Sequence, residues 1–284
     1  MIQKASPIKG KPLVSAVIAA HNEEKYVGKA IQSLIEQAYK PIEIIVVDNS
    51  STDSTYEVMK EFKKKYPQIK ILKRTGFQRG PGVAWNLGAR HAKGKIIMTY
   101  GADLFFGKDY MRDMIKPILR GETIGTMHRE EKIANLENIW ARAFCIRRAT
   151  PGKTTKLFSL IRKDSFFKYG PLDPKFGYAD DRTIYFKHGI ESLLVNAEVW
   201  HHNPASFIEN WRHDIWVGKS NKKPWIMIVA LPLIPIHAIY KTIEHLVRKD
   251  FYWKLIFFLP VFYSLKYAGY FVGAVKRLFI SEKV

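Results

Sequence analysis

The chain has 284 residues, 47% of them hydrophobic, which is enough for one substantial core and excludes a disordered chain. Forty-six Lys and Arg against 26 Asp and Glu leave a formal charge of +20, so an anionic partner is expected: nucleic acid, anionic lipid or a phosphorylated substrate. Cys145 is the only cysteine, which excludes an intrachain disulfide and a cysteine-built zinc cage. Residues 1–11 are basic without an apolar core, so no secretory leader is expected there.

Residues 14–20 are apolar apart from Ser15 and predict a buried strand, followed by His21-Asn22-Glu23-Glu24 and a helix with Val27, Ile31, Leu34, Ile35 and Ala38 on one face. Asn22 is the expected cap of that helix, and Pro41 stops it. Residues 42–47 predict a second buried strand ending at Asp48, then a polar loop over residues 49–53 and a helix through Val58 and Phe62 to Pro67. Residues 69–72 predict a third strand, residues 75–82 a loop rich in Gly and basic residues, and residues 83–92 another helix. The run 95–106 then contains a strand that breaks at Gly101 and sets Asp103 at its end. Strands alternating with helices imply parallel pairing through right-handed crossovers, so His21, Asp48 and Asp103 should share one edge of one sheet. In open α/β sheets that edge is where ligands bind.

Four blocks carry a resemblance: residues 12–24, residues 42–53 (Ile-Glu-Ile-Ile-Val-Val-Asp-Asn-Ser-Ser-Thr-Asp), residues 79–86 and residues 96–103. In order and spacing they are similar to the nucleotide-sugar half of family 2 glycosyltransferases. The resemblance implies an α/β GT-A fold, a Rossmann-like, mostly parallel sheet flanked by helices. It covers the first 105 residues well and extends more loosely to about residue 220. It implies a donor site of Ala20, His21, Asn22, Glu23, Asp48, Arg79, Gly80, Ala102 and Asp103, with Asp48 on the base or ribose and Arg79-Gly80 near the base. An Asp-x-Asp block holds a metal, Mg²⁺ or Mn²⁺, on the diphosphate in that family. Here Gly101 replaces the first acid, Ala19 a usual proline and Asn49 a common second Asp, while Asp103 matches the usual metal ligand.

A departing sugar diphosphate is anionic, and a divalent cation held by hard oxygen ligands neutralises it. One carboxylate binds such an ion weakly, so Asp103 needs a second ligand or the substrate's own phosphates. His201 and His202, after an apolar segment, resemble the later His that supplies a ligand in some relatives; a packing role for one of them is the plainer alternative. Residues 170–173 and 176–182 are similar to the family's acceptor block, where Asp180 falls on the catalytic base. An inverting transfer needs a carboxylate to take the proton of the attacking hydroxyl. Asp181 is expected near the acceptor or diphosphate, or as the cap of the next helix. Residues 211–219 look like the block that closes over the donor, with Arg212, His213 and Trp216 as diphosphate or acceptor contacts; the start of a membrane-contacting tail is the alternative.

Residues 1–220 are expected to form the catalytic domain, split near 105 into donor and acceptor halves, and residues 221–284 a membrane-associated helical tail. Residues 224–240 carry no formal charge, and a second apolar run, 251–275, is interrupted by Lys254 and Lys266. On a helical wheel the charges of each run gather on one arc, which suits helices lying in an interface with basic faces toward headgroups; a spanning hairpin is the alternative. From residue 219 on, 11 Lys and Arg face 3 Asp and Glu, a net +8 that favours an anionic cytoplasmic leaflet. Gly269 and Gly273 form a small-xxx-small pair that shares the arc of the lysines and reads as incidental. The sequence therefore points to a membrane-associated inverting glycosyltransferase at the cytoplasmic face, moving a hexose from a nucleoside diphosphate sugar to a hydroxyl on a lipid-linked acceptor. Polyprenyl phosphate as acceptor and a non-catalytic nucleotide-sugar binder are the alternatives. No nucleic-acid motif supports a nucleic-acid partner.

Overall fold

The computed structural model describes residues 1–75, 80–144, 147–220, 231–246, 252 and 254–279. The described chain divides into two compact units, residues 1–132 with 147–201, and residues 133–146 with 202–284. The division falls at residue 201, earlier than the expected boundary at 220, because residues 202–220 pack with the C-terminal helices.

In the first unit, β1 (Val14–Ala20), β2 (Ile42–Asn49), β3 (Lys70–Arg74) and β4 (Ile96–Gly101) run parallel in the order β3-β2-β1-β4. Helices α1 (Val27–Ile35), α2 (Thr55–Lys65) and α3 (Pro81–His91) make the crossovers. All seven residues of β1 are buried, as a strand covered on both faces requires. Alternate residues serve opposite faces. Ala16, Ile18, Val46 and Met98 join α1 and α4 (Tyr110–Leu119) in one core, while Val17, Val47 and Ile97 join α3 in the other.

Beyond β4 the sheet is mixed. β10 (Leu160–Arg162) lies antiparallel between β4 and β6 (Gly125–His128), followed by β11 (Ser192–Val195) and the edge strand β9 (Thr154–Thr155). A smaller sheet takes the order β5 (Leu104–Phe106), β12 (Val199–His201), β7 (Glu130–Ile133), β8 (Arg147–Ala149). α6 (Lys163–Tyr169), a 3₁₀ segment (Pro174–Arg182) and α7 (Thr183–His188) complete the unit.

The second unit holds α5 (Ile139–Phe144), α8 (Phe207–Ser220), α9 (Ile234–Leu246) and α10 (Leu255–Phe279). Its core is Ala143, Leu255, Leu259 and Phe262, with Trp140 edge-on to Phe258. The glycines that read as incidental are the contact itself. A Cβ on Gly273 would overlap the Ile215 carbonyl, one on Gly218 the Tyr270 carbonyl, and one on Gly269 would lie 2.7 Å from the Asp214 Cβ, so α10 and α8 touch backbone to backbone only because these positions lack side chains. That contact turns Lys266 of α10 inward, its Nζ 4.8 Å from the Phe144 ring centre, while Lys254 and Arg277 stay exposed. The outward faces also carry apolar side chains: Ile236, Ile239, Tyr240 and Ile243 on α9, and Phe257 and Val261 on α10 are exposed. The expected orientation of the tail's charges is thus reversed for Lys266, because the glycine seam decides which side of α10 meets the protein.

Candidate functional site

Strand register brings the expected donor residues to one edge. Ala20 pairs with Asp48 and Ala19 with Gly101, so the loops after β1, β2 and β4 emerge together. The first two loops are bonded to each other. The Asn22 side-chain oxygen accepts from the Thr52 N–H at 2.8 Å, the Glu23 N–H donates to Thr55 Oγ1 at 2.7 Å, and His21 Nδ1 lies 3.0 Å from the Asn49 carbonyl. Asn22 therefore caps no helix; it sits in the left-handed region at φ 58° and braces the neighbouring loop, while α1 begins five residues later. Asp48 is fully buried. One carboxylate oxygen accepts from the Ser51 N–H at 3.1 Å, and Oδ2 is buried with no hydrogen-bond partner among the described residues. Asn49, where a second acid is common, is held by the Arg74 guanidinium at 2.6 Å. Arg79 lies outside the described residues.

Asp103 follows β4, and the next strand places its partner. β5 and β12 pair antiparallel with Leu104 opposite His201, which sets His201 beside Asp103, Nε2 to Oδ2 at 2.9 Å. A Cβ at Gly101 would strike the Asp103 carboxylate, so the missing first acid is space that Asp103 itself occupies. Ala102 is buried, its N–H bonded to the Ala19 carbonyl. His202, one residue on, falls in the second unit.

Behind His201 lies a chain of buried groups that nothing in the sequence singled out. His201 Nδ1 is 2.9 Å from one oxygen of Glu131, and the other oxygen is 2.9 Å from His128 Nε2. His128 is 2% exposed, and its Nδ1 lies 3.1 Å from both the Tyr100 and Tyr110 hydroxyls, which also bond each other. Burial of Glu131 disfavours its charge, but hydrogen bonds from His128 and His201 outweigh that and hold the carboxyl well below its usual range. Burial pushes the Tyr100 hydroxyl, which faces His128, above its usual range.

Asp180 sits elsewhere in the unit, on the 3₁₀ segment, and is 1% exposed. Oδ2 accepts from the Gly82 N–H at 2.9 Å, in the first turn of α3, and Oδ1 is buried with no partner among the described residues. Gly82 has no side chain for the same reason: its Cβ would overlap that carboxylate. Asn86, one turn on, clamps the Leu172 backbone with two hydrogen bonds of 2.7 and 3.0 Å, tying the 170–173 segment to α3. Burial and the neighbouring Asp181 charge push Asp180 up to about 7, against the Gly82 N–H. Asp181 is raised to about 6 by burial, with Arg182 opposing, and its side chain keeps 37% exposure. Asp181 is not the cap of α7; the cap position belongs to Arg182, which makes no side-chain cap bond. Arg212, His213 and Trp216 lie on α8 of the second unit: Arg212 is exposed, and His213 Nδ1 is 3.2 Å from the buried Asp214.

Known proteins resemble this chain in sequence and fold. A family model described as glycosyl transferase family 2 matches residues 15–172, more than half of the chain. The chain is similar to a beta-monoglucosyldiacylglycerol synthase of Synechocystis, 33% identical over 46% of this chain and 28% of that one. It is also similar to a dolichyl N-acetyl-alpha-D-glucosaminyl phosphate 3-beta-D-2,3-diacetamido-2,3-dideoxy-beta-D-glucuronosyltransferase of Methanococcus voltae, 30% identical over 57% of this chain and 53% of that one. The chain thus spans between about a quarter and just over half the length of these relatives. Among solved structures, the mannosyltransferase PcManGT of Pyrobaculum calidifontis with GDP-Man and Mn²⁺ superposes with TM-score 0.59 at 17% identity, over 99% of this chain and 91% of that one. TarS of S. aureus with UDP-GlcNAc gives 0.55 at 16% identity, over 93% and 91%. These likenesses establish the GT-A fold expected from the sequence blocks.

Proposed function

The chain belongs to glycosyl transferase family 2, and on that premise we propose that it transfers a hexose, with inversion, from a nucleoside diphosphate sugar to a hydroxyl of a lipid-linked acceptor at the cytoplasmic face of a membrane. The observation that carries the donor half is the meeting of Asp103 and His201 at 2.9 Å on the carboxyl edge of a parallel half-sheet. A carboxylate oxygen and an imidazole nitrogen suit Mn²⁺ or Mg²⁺, and among the described residues no third His, Cys, Asp or Glu completes a ligand cluster. The site therefore fits an ion shared with the diphosphate, whose charge the ion would offset as it departs. Asp48, with one buried oxygen unpartnered, is the proposed nucleoside contact, and Ala20, His21, Asn22, Glu23, Gly80 and Ala102 frame it.

In the transfer, the acceptor oxygen bonds to the anomeric carbon as the bond from that carbon to the diphosphate breaks, and the hydroxyl proton passes to a carboxylate. Asp180 is the family-matched base, and its raised pKa lies near neutral pH, as general-base catalysis favours. A specific observation supports a second reading: Asp180 is enclosed by Gly80 and Gly82, whereas Asp181, though its Oδ1 is buried too, keeps 37% of its side chain exposed. A base must touch the proton it takes, so either Asp180 is uncovered when acceptor binds or Asp181 does the work. Asn substitutions separate the two, since the base variant loses kcat and its neighbour keeps most of it. Arg212, His213 and Trp216 are proposed diphosphate or acceptor contacts of the second unit.

The second unit supports membrane association. Residues 255–278 of α10 are long and apolar enough to span a bilayer by length and composition. One side of that helix, however, is committed to α8, which buries Asn210 and Asp214 in the same unit. A helix with a polar neighbour along one flank and Phe257, Val261 and the α9 isoleucines exposed on the other fits the interface better than a span. Relatives named for diacylglycerol and dolichyl acceptors support a lipid-linked acceptor. The test is binding and turnover. Thermal shift with UDP, GDP and dTDP sugars plus Mn²⁺ selects the donor, and radiolabel transfer to polyprenyl phosphate against lipid-linked sugars selects the acceptor. No binding and no transfer across the panel would refute the proposal.

A further inference from the structure

Glu131 is a charged group largely withdrawn from water, with 14% of its side chain exposed, which is costly unless something is gained from it. Its position has a polarity that can be read atom by atom. An ionised carboxylate only accepts, so His128 Nε2 and His201 Nδ1 must both donate to it. His128 Nδ1 is then an acceptor, and it faces the Tyr100 and Tyr110 hydroxyls. Every donor along this path has an acceptor. At the far end His201 Nε2 lies 2.9 Å from Asp103 Oδ2, a hydrogen bond that needs a second proton on the ring in the ion-free site and that a cation on Nε2 would replace; Asp103 is the most exposed member, with 31% of its side chain exposed. The groups come from β4, α4, β6, β7 and β12, so the path is assembled by the fold and has no local motif.

We propose that Glu131, held in place by His128, is a positioning residue that fixes His201 in its Nδ1–H tautomer and aims Nε2 at the cation site beside Asp103. The inference rests on the metal-assisted donor reading above. A ligating histidine whose other nitrogen donates to a carboxylate is oriented and made more basic by it, and loss of such a partner weakens metal binding by roughly 10–100-fold. His128 extends the same logic one residue deeper by fixing the rotamer of Glu131.

The test uses the full chain with Glu131→Gln, which keeps the volume, and Glu131→Ala. Mn²⁺ affinity is titrated by the EPR signal of the free ion with UDP and then GDP present. The tautomer of His201 is read from long-range ¹H–¹⁵N spectra of the protein loaded with diamagnetic Mg²⁺ and UDP or GDP. The expected result is folded variants with Mn²⁺ affinity lowered roughly 10–100-fold, unchanged nucleotide affinity without metal, and a His201 that no longer holds its proton on Nδ1. Folded variants that bind Mn²⁺ as the wild type does and keep the tautomer would overturn the proposal, as would unfolding of both variants, which would make Glu131 a structural residue. Asp103→Ala distinguishes the levels: Mn²⁺ binding lost there but intact in the Glu131 variants defeats only this inference, whereas a wild type that binds no Mn²⁺ with either nucleotide defeats the metal reading as well.

Discussion

Asp180→Asn should stabilise the first unit at alkaline pH, and the structure gives the size. Burial moves the carboxyl from 3.8 to about 7 on folding. A folded pKa above the unfolded one means that the native state binds the proton more tightly, so stability is intact below pH 3.8 and is lost as pH rises toward 7. Above 7 the loss levels off, at about 1.36 kcal/mol per pH unit crossed, near 4 kcal/mol in all. Asparagine removes the ionisation but leaves an amide with no acceptor near the unpartnered Oδ1, which returns about 1–3 kcal/mol. A net gain of about 2 kcal/mol corresponds to a Tm rise of about 4–8 °C at pH 8. At pH 4 the gain should be gone and the variant slightly the less stable, because the wild-type carboxyl is then protonated in the folded state and loses little by folding, while the cost of the amide remains. Differential scanning calorimetry from pH 4 to 9 measures this. A Tm difference that is flat with pH, or that favours the wild type as pH rises, would refute the buried-carboxylate argument.

Four further outcomes follow. Gly82→Ala drives a methyl into the Asp180 carboxylate, so it should destabilise by about 1–3 kcal/mol in denaturant titrations and depress turnover with it. Asp103→Ala and His201→Ala should each abolish the Mn²⁺-dependent part of nucleotide binding in calorimetry while leaving the metal-free part. Gly273→Leu should separate α8 from α10 and lower the Tm of the second unit by several degrees, by about 1–3 kcal/mol of overpacking. Ile236→Glu with Ile243→Glu, both exposed, should leave folding unchanged and reduce cosedimentation with anionic vesicles severalfold, and the wild type should be released by alkaline carbonate if the helices lie in the interface.

The parallel half-sheet was legible because β1 is buried on both faces, its neighbours largely so, and they read as apolar runs between helical segments. Its carboxyl edge followed from topology, which placed Asp48 and Asp103 together without any long-range information. What the residues could not disclose lies where contacts join distant segments. Glu131 and His128 sit in short strands with no periodic signal, and their partner His201 is 70 residues beyond Glu131. Gly82 reads as a loop glycine until Asp180, 98 residues away, occupies the space its side chain would fill. The wheel argument for the tail failed for a related reason: it ranked faces by charge, while the glycines decide which face another helix can reach.

These contacts bear on what Gly101 means. Two acids on one loop would clamp a cation before the nucleotide arrives, at the cost of mutual repulsion in the empty site. Here the proposed second protein ligand is a histidine from another strand, which hydrogen bonding to Glu131, backed by His128, and the pairing of β5 with β12 set beside Asp103. Such a site is pre-oriented but has few charges, so its affinity for Mn²⁺ alone should be weak and should rise when a diphosphate supplies the remaining oxygens. Calorimetric titration with Mn²⁺, first without and then with UDP or GDP, should show at least a tenfold gain, equivalent to about 1.4 kcal/mol of coupling. By reciprocity the nucleotide should bind tighter by the same factor when Mn²⁺ is present. Tight Mn²⁺ binding without nucleotide would contradict a two-ligand site, and nucleotide affinity indifferent to Mn²⁺ would remove Asp103 and His201 from the donor site altogether.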